Sequence, residues 1–151
     1  MGNLYIGFKG VNNASFQLVS LFKGEKLFLT NSFPGLARDI GSVSDAYSAI
    51  FLFGIDGTLT NTVRIERCAE QQRQRLSSVL PLEQIAAELQ AHGITSTISD
   101  EPTHYLCNDA YFKLLAKNER KVVLIHIPSI KNTNADFFNG MINSIEKRGA
   151  L

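Results

Sequence analysis

Apolar residues in this chain come in short blocks separated by glycine, proline and polar turns, and the period inside each block shows which element it predicts. Leu4 to Phe8 is a short apolar run closed by Gly10, and Ser15 to Leu21 then carries apolar residues at helical spacing, so the opening predicts strand, turn and helix. Lys26 to Thr30 predicts a second strand. Pro34 fits the first turn of a short helix reaching Ile40, because the N–H it lacks is one that a helix start leaves unpaired anyway. Ala49 to Phe53 is continuously apolar, as in a strand buried on both faces, and Gly54 and Gly57 mark the turn after it.

Thr62 to Ala69 reads as a further extended segment, whereas Glu70 to Arg75 is polar with no apolar period and predicts a loop or exposed turn. Pro81 opens an amphipathic helix with Leu82, Ile85, Ala86 and Leu89 on one face and Gly93 as its stop. Ile94 to Ser99 alternates as a strand, Tyr105 to Ala116 is helical, Lys121 to Ile127 is a strand, and Ala135 to Arg148 is a closing helix. Alternating strands and helices predict an α/β fold, a three-layer sandwich in which a mainly parallel open sheet has helices on both faces. Sites in such folds gather beyond the carboxyl ends of the strands. No internal repeat, low-complexity tract or linker divides the chain, so residues 1–151 are expected to form a single domain.

Composition narrows the function classes. With 44% hydrophobic and 19% charged residues the chain is of globular type, and 151 residues suffice to bury roughly two thirds of the unfolded surface around one core. Lys+Arg 15 against Asp+Glu 14 gives a formal charge of +1, which offers no basic stripe to a nucleic acid. The longest apolar run, Ala49 to Ile55, is too short to span a bilayer, and the N-terminus has no signal-peptide pattern, so no membrane partner is expected and the cytoplasm is the default compartment.

The two cysteines, Cys68 and Cys107, form no disulfide framework, and no cluster of soft ligands suggests zinc, so no metal or organic cofactor is expected. Cys107 lies in Tyr105-Leu106-Cys107-Asn108, where a loop gives way to a helix; the unpaired amides and dipole of a helix start favour a thiolate. His126 stands in Val122-Val123-Leu124-Ile125-His126-Ile127-Pro128, near the carboxyl end of a buried strand, and can serve as a base. Each has a plainer alternative, a small buried thiol in one case and a hydrogen-bonded structural imidazole in the other.

These segments resemble the pyroglutamyl peptidase I (pyrrolidone carboxyl peptidase) family. Ile98-Ser99, Tyr105-Leu106-Cys107-Asn108 with Tyr111, and Ile125-His126-Ile127-Pro128 look like its cysteine and histidine motifs in order and spacing. Ile65-Glu66-Arg67-Cys68-Ala69, after Gly54 and Gly57, is similar to the segment that supplies its glutamate, and Gly7-Phe8 with Gly10-Val11-Asn12 looks like a shortened form of its first loop. The resemblance implies a phosphorylase/hydrolase-like fold and a Cys107, His126 and Glu66 triad. In that scheme Cys107 attacks the amide carbonyl after an N-terminal pyroglutamyl group and forms a thioester, His126 accepts its proton, Glu66 holds the imidazole, and the Cys107 amide begins an oxyanion hole.

By the same resemblance Phe8, Asn12 and Ile55 are expected to bind substrate, with Ile55 standing where the family has a glutamine. The family's segment after its glutamate, which supplies an arginine to the oxyanion, is replaced by Glu70 to Arg75, leaving Arg73 or Arg75 as stand-ins. His104 precedes the nucleophile by three residues, Cys68 is expected to pack beneath the site or, as a weaker alternative, to pair with Cys107, and His92 is expected to complement the end of its helix. The implied partner is a peptide or small amide, and the family's symmetric oligomers imply a homo-oligomer. Two rival readings stay open: a non-catalytic relative that binds a peptide or protein partner, and a cysteine amidase with an altered substrate.

Overall fold

The structure is a computed structural model that describes residues 2–44 and 47–147. Five strands expected from the pattern form in place: β1 (Asn3–Phe8), β2 (Glu25–Leu29), β3 (Ala49–Ile55), β7 (Thr95–Ser99) and β8 (Val122–Ile127). The expected helices form as α1 (Ala14–Ser20), α2 (Phe33–Gly41), α3 (Leu82–Ala91), α4 (Tyr105–Lys117) and α5 (Ala135–Ile142). Local chemistry sets their ends. Asn13 caps α1 by accepting from the Ser15 and Phe16 amides, and Ser32 caps α2 by accepting from the Gly35 amide. Gly93, at φ +80°, closes α3 as its Gln90 bond is joined by one from the Ile94 amide to the Leu89 carbonyl.

The region between β3 and α3 departs from expectation. Gly54 lies inside β3 and does not end it, and the segment from Thr62 splits into β4 (Thr62–Glu66) and β5 (Cys68–Gln71). The polar run Glu70 to Arg75 is no loop: β5 turns into β6 (Gln74–Ser77) as a hairpin, with Glu70 opposite Arg75 and Gln71 opposite Gln74. Gln72 and Arg73 make its two-residue turn at φ 49° and 64°, the left-handed pair that matches strand twist. The Arg75–Glu70 ion pair, at 3.1 Å, and the burial of Leu76 and Ala69 supply what the missing apolar period did not signal. Strict alternation of strands and helices fails here.

The main sheet has the order β2-β1-β3-β8-β4-β7. β2, β1, β3 and β8 run parallel, β4 pairs antiparallel with β8, and β7 runs parallel to β4, so the sheet is mixed with mostly parallel neighbours. Because side chains alternate along a strand, each strand feeds two cores. Tyr5, Phe51, Phe53, Val63, Ile65, Val123, Ile125 and Ile127 pack on α1, α3 and α5. Leu4, Ile6, Phe8, Ile50, Leu52, Val122 and Leu124 pack on α2, α4 and the β5–β6 hairpin. All six residues of β8 are buried, and each fully buried branched side chain contributes about 1.5–3 kcal/mol relative to exposure.

The closing helix also differs in detail. Ser144 Oγ donates to the Gly140 carbonyl at 2.7 Å, a back-bond that competes with helical pairing, and α5 passes into a wider π-helical turn over Asn143–Lys147. The expected end at Arg148 lies outside the described residues. Among the described residues no helix is long and apolar enough to cross a membrane.

Candidate active site

The alternation that builds two cores also selects the residues of one cleft. Leu52, Leu124 and the β4 register place Gly54, His126, Arg64 and Glu66 on the face covered by α2 and α4. His126 is paired in register with Gly54 of β3 on one side and with Arg64 of β4 on the other. α4 lays Cys107 over this row as the third residue of its first turn.

Gly54 makes room for the encounter. A Cβ built on it would lie 2.7 Å from Cys107 Sγ and 3.3 Å from both Nε2 and Cδ2 of His126, so the sulfur and the imidazole border the space of one missing side chain. The other ring nitrogen, Nδ1, is 2.7 Å from Glu66 Oε2, with both residues almost fully buried. A proton on Nδ1 donates to that carboxylate and leaves Nε2 as a free acceptor position on the Gly54 side of the ring.

Three hydrogen bonds explain why Asn108 and Tyr111 accompany Cys107. Tyr111 Oη donates to the Glu66 carbonyl at 2.8 Å, and Asn108 both accepts from the Glu70 amide and donates to the Glu70 carbonyl. α4 is thereby bolted to the strand end that carries Glu66. Tyr105, at the helix start, has φ +69°, a strained conformation for a side-chain-bearing residue, and its ring packs edge-on against Phe33 at 5.4 Å.

Burial pushes the Cys107 thiol up to about 11, and the negative charges of Glu66 and Asp56 add to the effect. This corrects the expectation of a resting thiolate: the desolvated, anion-facing position of the sulfur opposes the helix start. Cys68 is buried too, its thiol also raised by desolvation, and its Sγ donates to the Asp100 carbonyl at 3.3 Å. Both cysteines are unpaired.

A cavity of about 410 Å³ opens beside the sulfur, lined by Phe8, Ile55, Asp56, Arg64, Cys107 and His126 among others. Of the substrate-binding candidates, Phe8 and Ile55 are on its wall. Asn12 is not, and its neighbour Asn13, held inward as the α1 cap, lines the cavity instead. Arg75 is also absent from it: the hairpin carries Arg75 to the rim of a separate cavity, paired with Glu70. Arg73 sits in the hairpin turn. His104, the residue before α4, lines the mouth beside Cys107, and His92 donates from Nδ1 to the Glu88 carbonyl at the end of α3, as expected.

Arg64 and Asp56 are the site residues that sequence reasoning missed. Arg64 Nε donates to Glu66 Oε2 at 2.6 Å, Nη1 pairs with Asp56 Oδ2 at 2.8 Å, and Nη2 is 3.4 Å from His126 Nδ1. Asp56 is held down at about 2, chiefly by the Thr58 hydroxyl and also by Arg64, against the opposing effect of its partial burial. The signal was there in outline: Arg64 stands two residues before Glu66 on one strand, so the two share a face.

The molecule is thus a three-layer α/β protein with a thiol, an imidazole and a buried carboxylate converging in one cleft at the ends of its central strands. Among solved structures it is similar to pyroglutamyl peptidase I from Bacillus amyloliquefaciens, with a TM-score of 0.81 and 18% identity over 100% of this chain and 96% of that one. Pyrrolidone carboxyl peptidase from Thermococcus litoralis gives a TM-score of 0.79 and 18% identity over 97% of this chain and 92% of that one. The Thermus thermophilus enzyme gives 0.75 and 18% over 94% and 96%. No family model matches the sequence, and no curated protein matches it. The chain has the fold of the pyrrolidone carboxyl peptidases, at an identity that carries the fold alone.

Proposed function

We propose that this chain is a cysteine peptidase that cleaves the amide bond after an N-terminal pyroglutamyl group, with Cys107, His126 and Glu66 as its catalytic residues. The observation that carries this reading is that Cys107 Sγ and His126 Nε2 border the same space above Gly54, with Nδ1 of the same ring 2.7 Å from Glu66. The thiol rests neutral. As Sγ attacks the carbonyl carbon, Nε2 takes its proton and Glu66 stabilises the imidazolium that forms. The backbone N–H of Cys107, which has no partner within its helix because it lies in the first turn, donates to the oxyanion. Collapse of the tetrahedral intermediate breaks the C–N bond, the leaving amine takes the proton from His126, and water hydrolyses the thioester with His126 again as base. Phe8 and Ile55 offer apolar walls to a lactam ring.

A second reading, a cysteine amidase acting on a different acyl group, is favoured by the Asp56–Arg64 ion pair beside Ile55 in the same cavity, since a charged wall suits a more polar substrate. Hydrolysis of a fluorogenic pyroglutamyl amide by the protein and its Cys107→Ala variant tests the first reading. Turnover that disappears in the variant supports it. Absence of turnover from the folded protein, with hydrolysis of another acyl amide that depends on Cys107, moves the assignment to the second.

A further inference from the structure

The Glu66 carboxylate has two suitors. Oε2 receives both His126 Nδ1, at 2.7 Å, and Arg64 Nε, at 2.6 Å, while a further guanidinium nitrogen of Arg64 stands 3.4 Å from that same Nδ1. In a simple carboxylate–imidazole pair the anion favours the protonated ring. Here a cation of fixed charge sits inside the pair, half-buried where solvent screens it little.

We propose that Arg64 is a positioning residue that keeps His126 a neutral base: it neutralises Glu66 towards the ring and confronts the imidazolium with a positive charge, while Asp56 holds the guanidinium in place and moderates its field. This rests on His126 being the base of the proposed reaction. The charged and titratable groups facing the ring are few. β4 contributes Arg64 and Glu66, β3 contributes the uncharged Gly54 with Asp56 just beyond its end, and α4 contributes Cys107 with His104 at its start. The sign of each change follows. Loss of Arg64 leaves Glu66 as a lone anion against the ring and raises the pH at which His126 loses its proton; loss of the Asp56 charge leaves Arg64 uncompensated and lowers it.

The test is an NMR titration of the histidine ring protons, which reads His126 whether or not any substrate is cleaved. His92 lies in a separate cavity and serves as an internal reference for an intact fold. Arg64→Gln, which retains a donor for Glu66, is expected to raise the His126 midpoint by about one pH unit or more, the range in which a single nearby charge acts. Arg64→Lys is expected to restore it substantially, and Asp56→Asn to shift it downward. The acid limb of kcat/KM should move in the same directions, whereas a purely structural role would lower kcat without moving the limb. A His126 midpoint that stays put or falls in Arg64→Gln overturns the proposal. If Arg64→Gln does not fold, an unchanged or raised midpoint in Asp56→Asn overturns it just as well. Shifts as expected in a protein that cleaves no pyroglutamyl amide would instead remove the peptidase reading and leave the electrostatic role of Arg64 intact.

Discussion

Gly54 lies directly beneath Cys107: the first carbon of any side chain placed there would come within 2.7 Å of the sulfur. The strand needs no glycine for its backbone conformation, and a glycine inside a buried strand is a cost in packing and chain entropy. What it provides is volume, which the thiol and imidazole share.

Gly54→Ala should therefore damage function more than folding. The methyl group must push Sγ or the His126 ring aside, at a cost of about 1–3 kcal/mol for overpacking. A displacement of that size in a reacting pair can cost about a hundredfold in rate. Urea unfolding and pyroglutamyl amide hydrolysis on the same preparation check both. Unchanged turnover with the fold intact would mean that the sulfur and ring do not work over this residue.

Cys107 should react like a suppressed thiol and not an activated one. With the thiol pushed up to about 11 by burial and by the carboxylates of Glu66 and Asp56, its alkylation by iodoacetamide in a Cys68→Ala background should keep rising with pH beyond about 8.5, where an ordinary thiol is half ionised. A rate that levels off below pH 8 would reveal a resting thiolate–imidazolium pair. Asp56→Asn, which removes one of the opposing charges, should shift the alkylation profile to lower pH.

Glu66 should be costly to truncate and cheaper to neutralise. Glu66→Ala strands a buried imidazole and one arm of Arg64, and breaking such a buried arrangement typically costs about 3–5 kcal/mol. Glu66→Gln keeps an acceptor in place and should lose less stability, while turnover falls by about a hundredfold or more because the imidazolium loses its counter-charge. Denaturant midpoints and steady-state rates for the two variants separate these effects.

The hairpin turn offers a gain in stability without a catalytic effect. Gln72 and Arg73 both adopt left-handed backbone angles that asparagine and glycine accept far more readily. The double change Gln72→Asn, Arg73→Gly should stabilise the protein by about 0.5–1 kcal/mol, the left-handed strain relieved less the chain entropy that glycine adds, read as a raised thermal midpoint, with kcat/KM unchanged. A lowered midpoint would show that the Arg73 side chain contributes more than its backbone strain costs.

Much of this architecture was legible because its signals were local. The buried runs at Ala49 and Val122, the periodic face of Leu82, Ile85 and Leu89, and the stop at Gly93 declare themselves within a few residues. The β5–β6 hairpin did not, since its stability comes from Leu76 and Ala69 meeting α4 and from an ion pair across the turn, contacts that a window of six polar residues does not contain. In the cleft, Cys107 and His126 were legible as candidates from their places at a helix start and a strand end, whereas Glu66 and the grouping of the three came only through resemblance. Asp56 and Arg64 were hidden because their meeting depends on β4 running against β8, and no spacing within one strand reveals the direction of its neighbour. Asn12 and Arg75 lie off the cavity for the converse reason: the α1 cap brings Asn13 and not Asn12 to its wall, and the hairpin carries Arg75 to another rim.

The antiparallel seam between β4 and β8 carries one more implication. Arg64 and Glu66 alternate with Val63 and Ile65, which lie in the opposite core. A slip of one residue along that seam would rotate both charges into the oily layer beneath α3 and turn two aliphatic side chains toward His126. The penalty for burying the charges makes such a mispairing self-rejecting, so the hydrophobic layer proofreads the chemistry on the other side of the sheet.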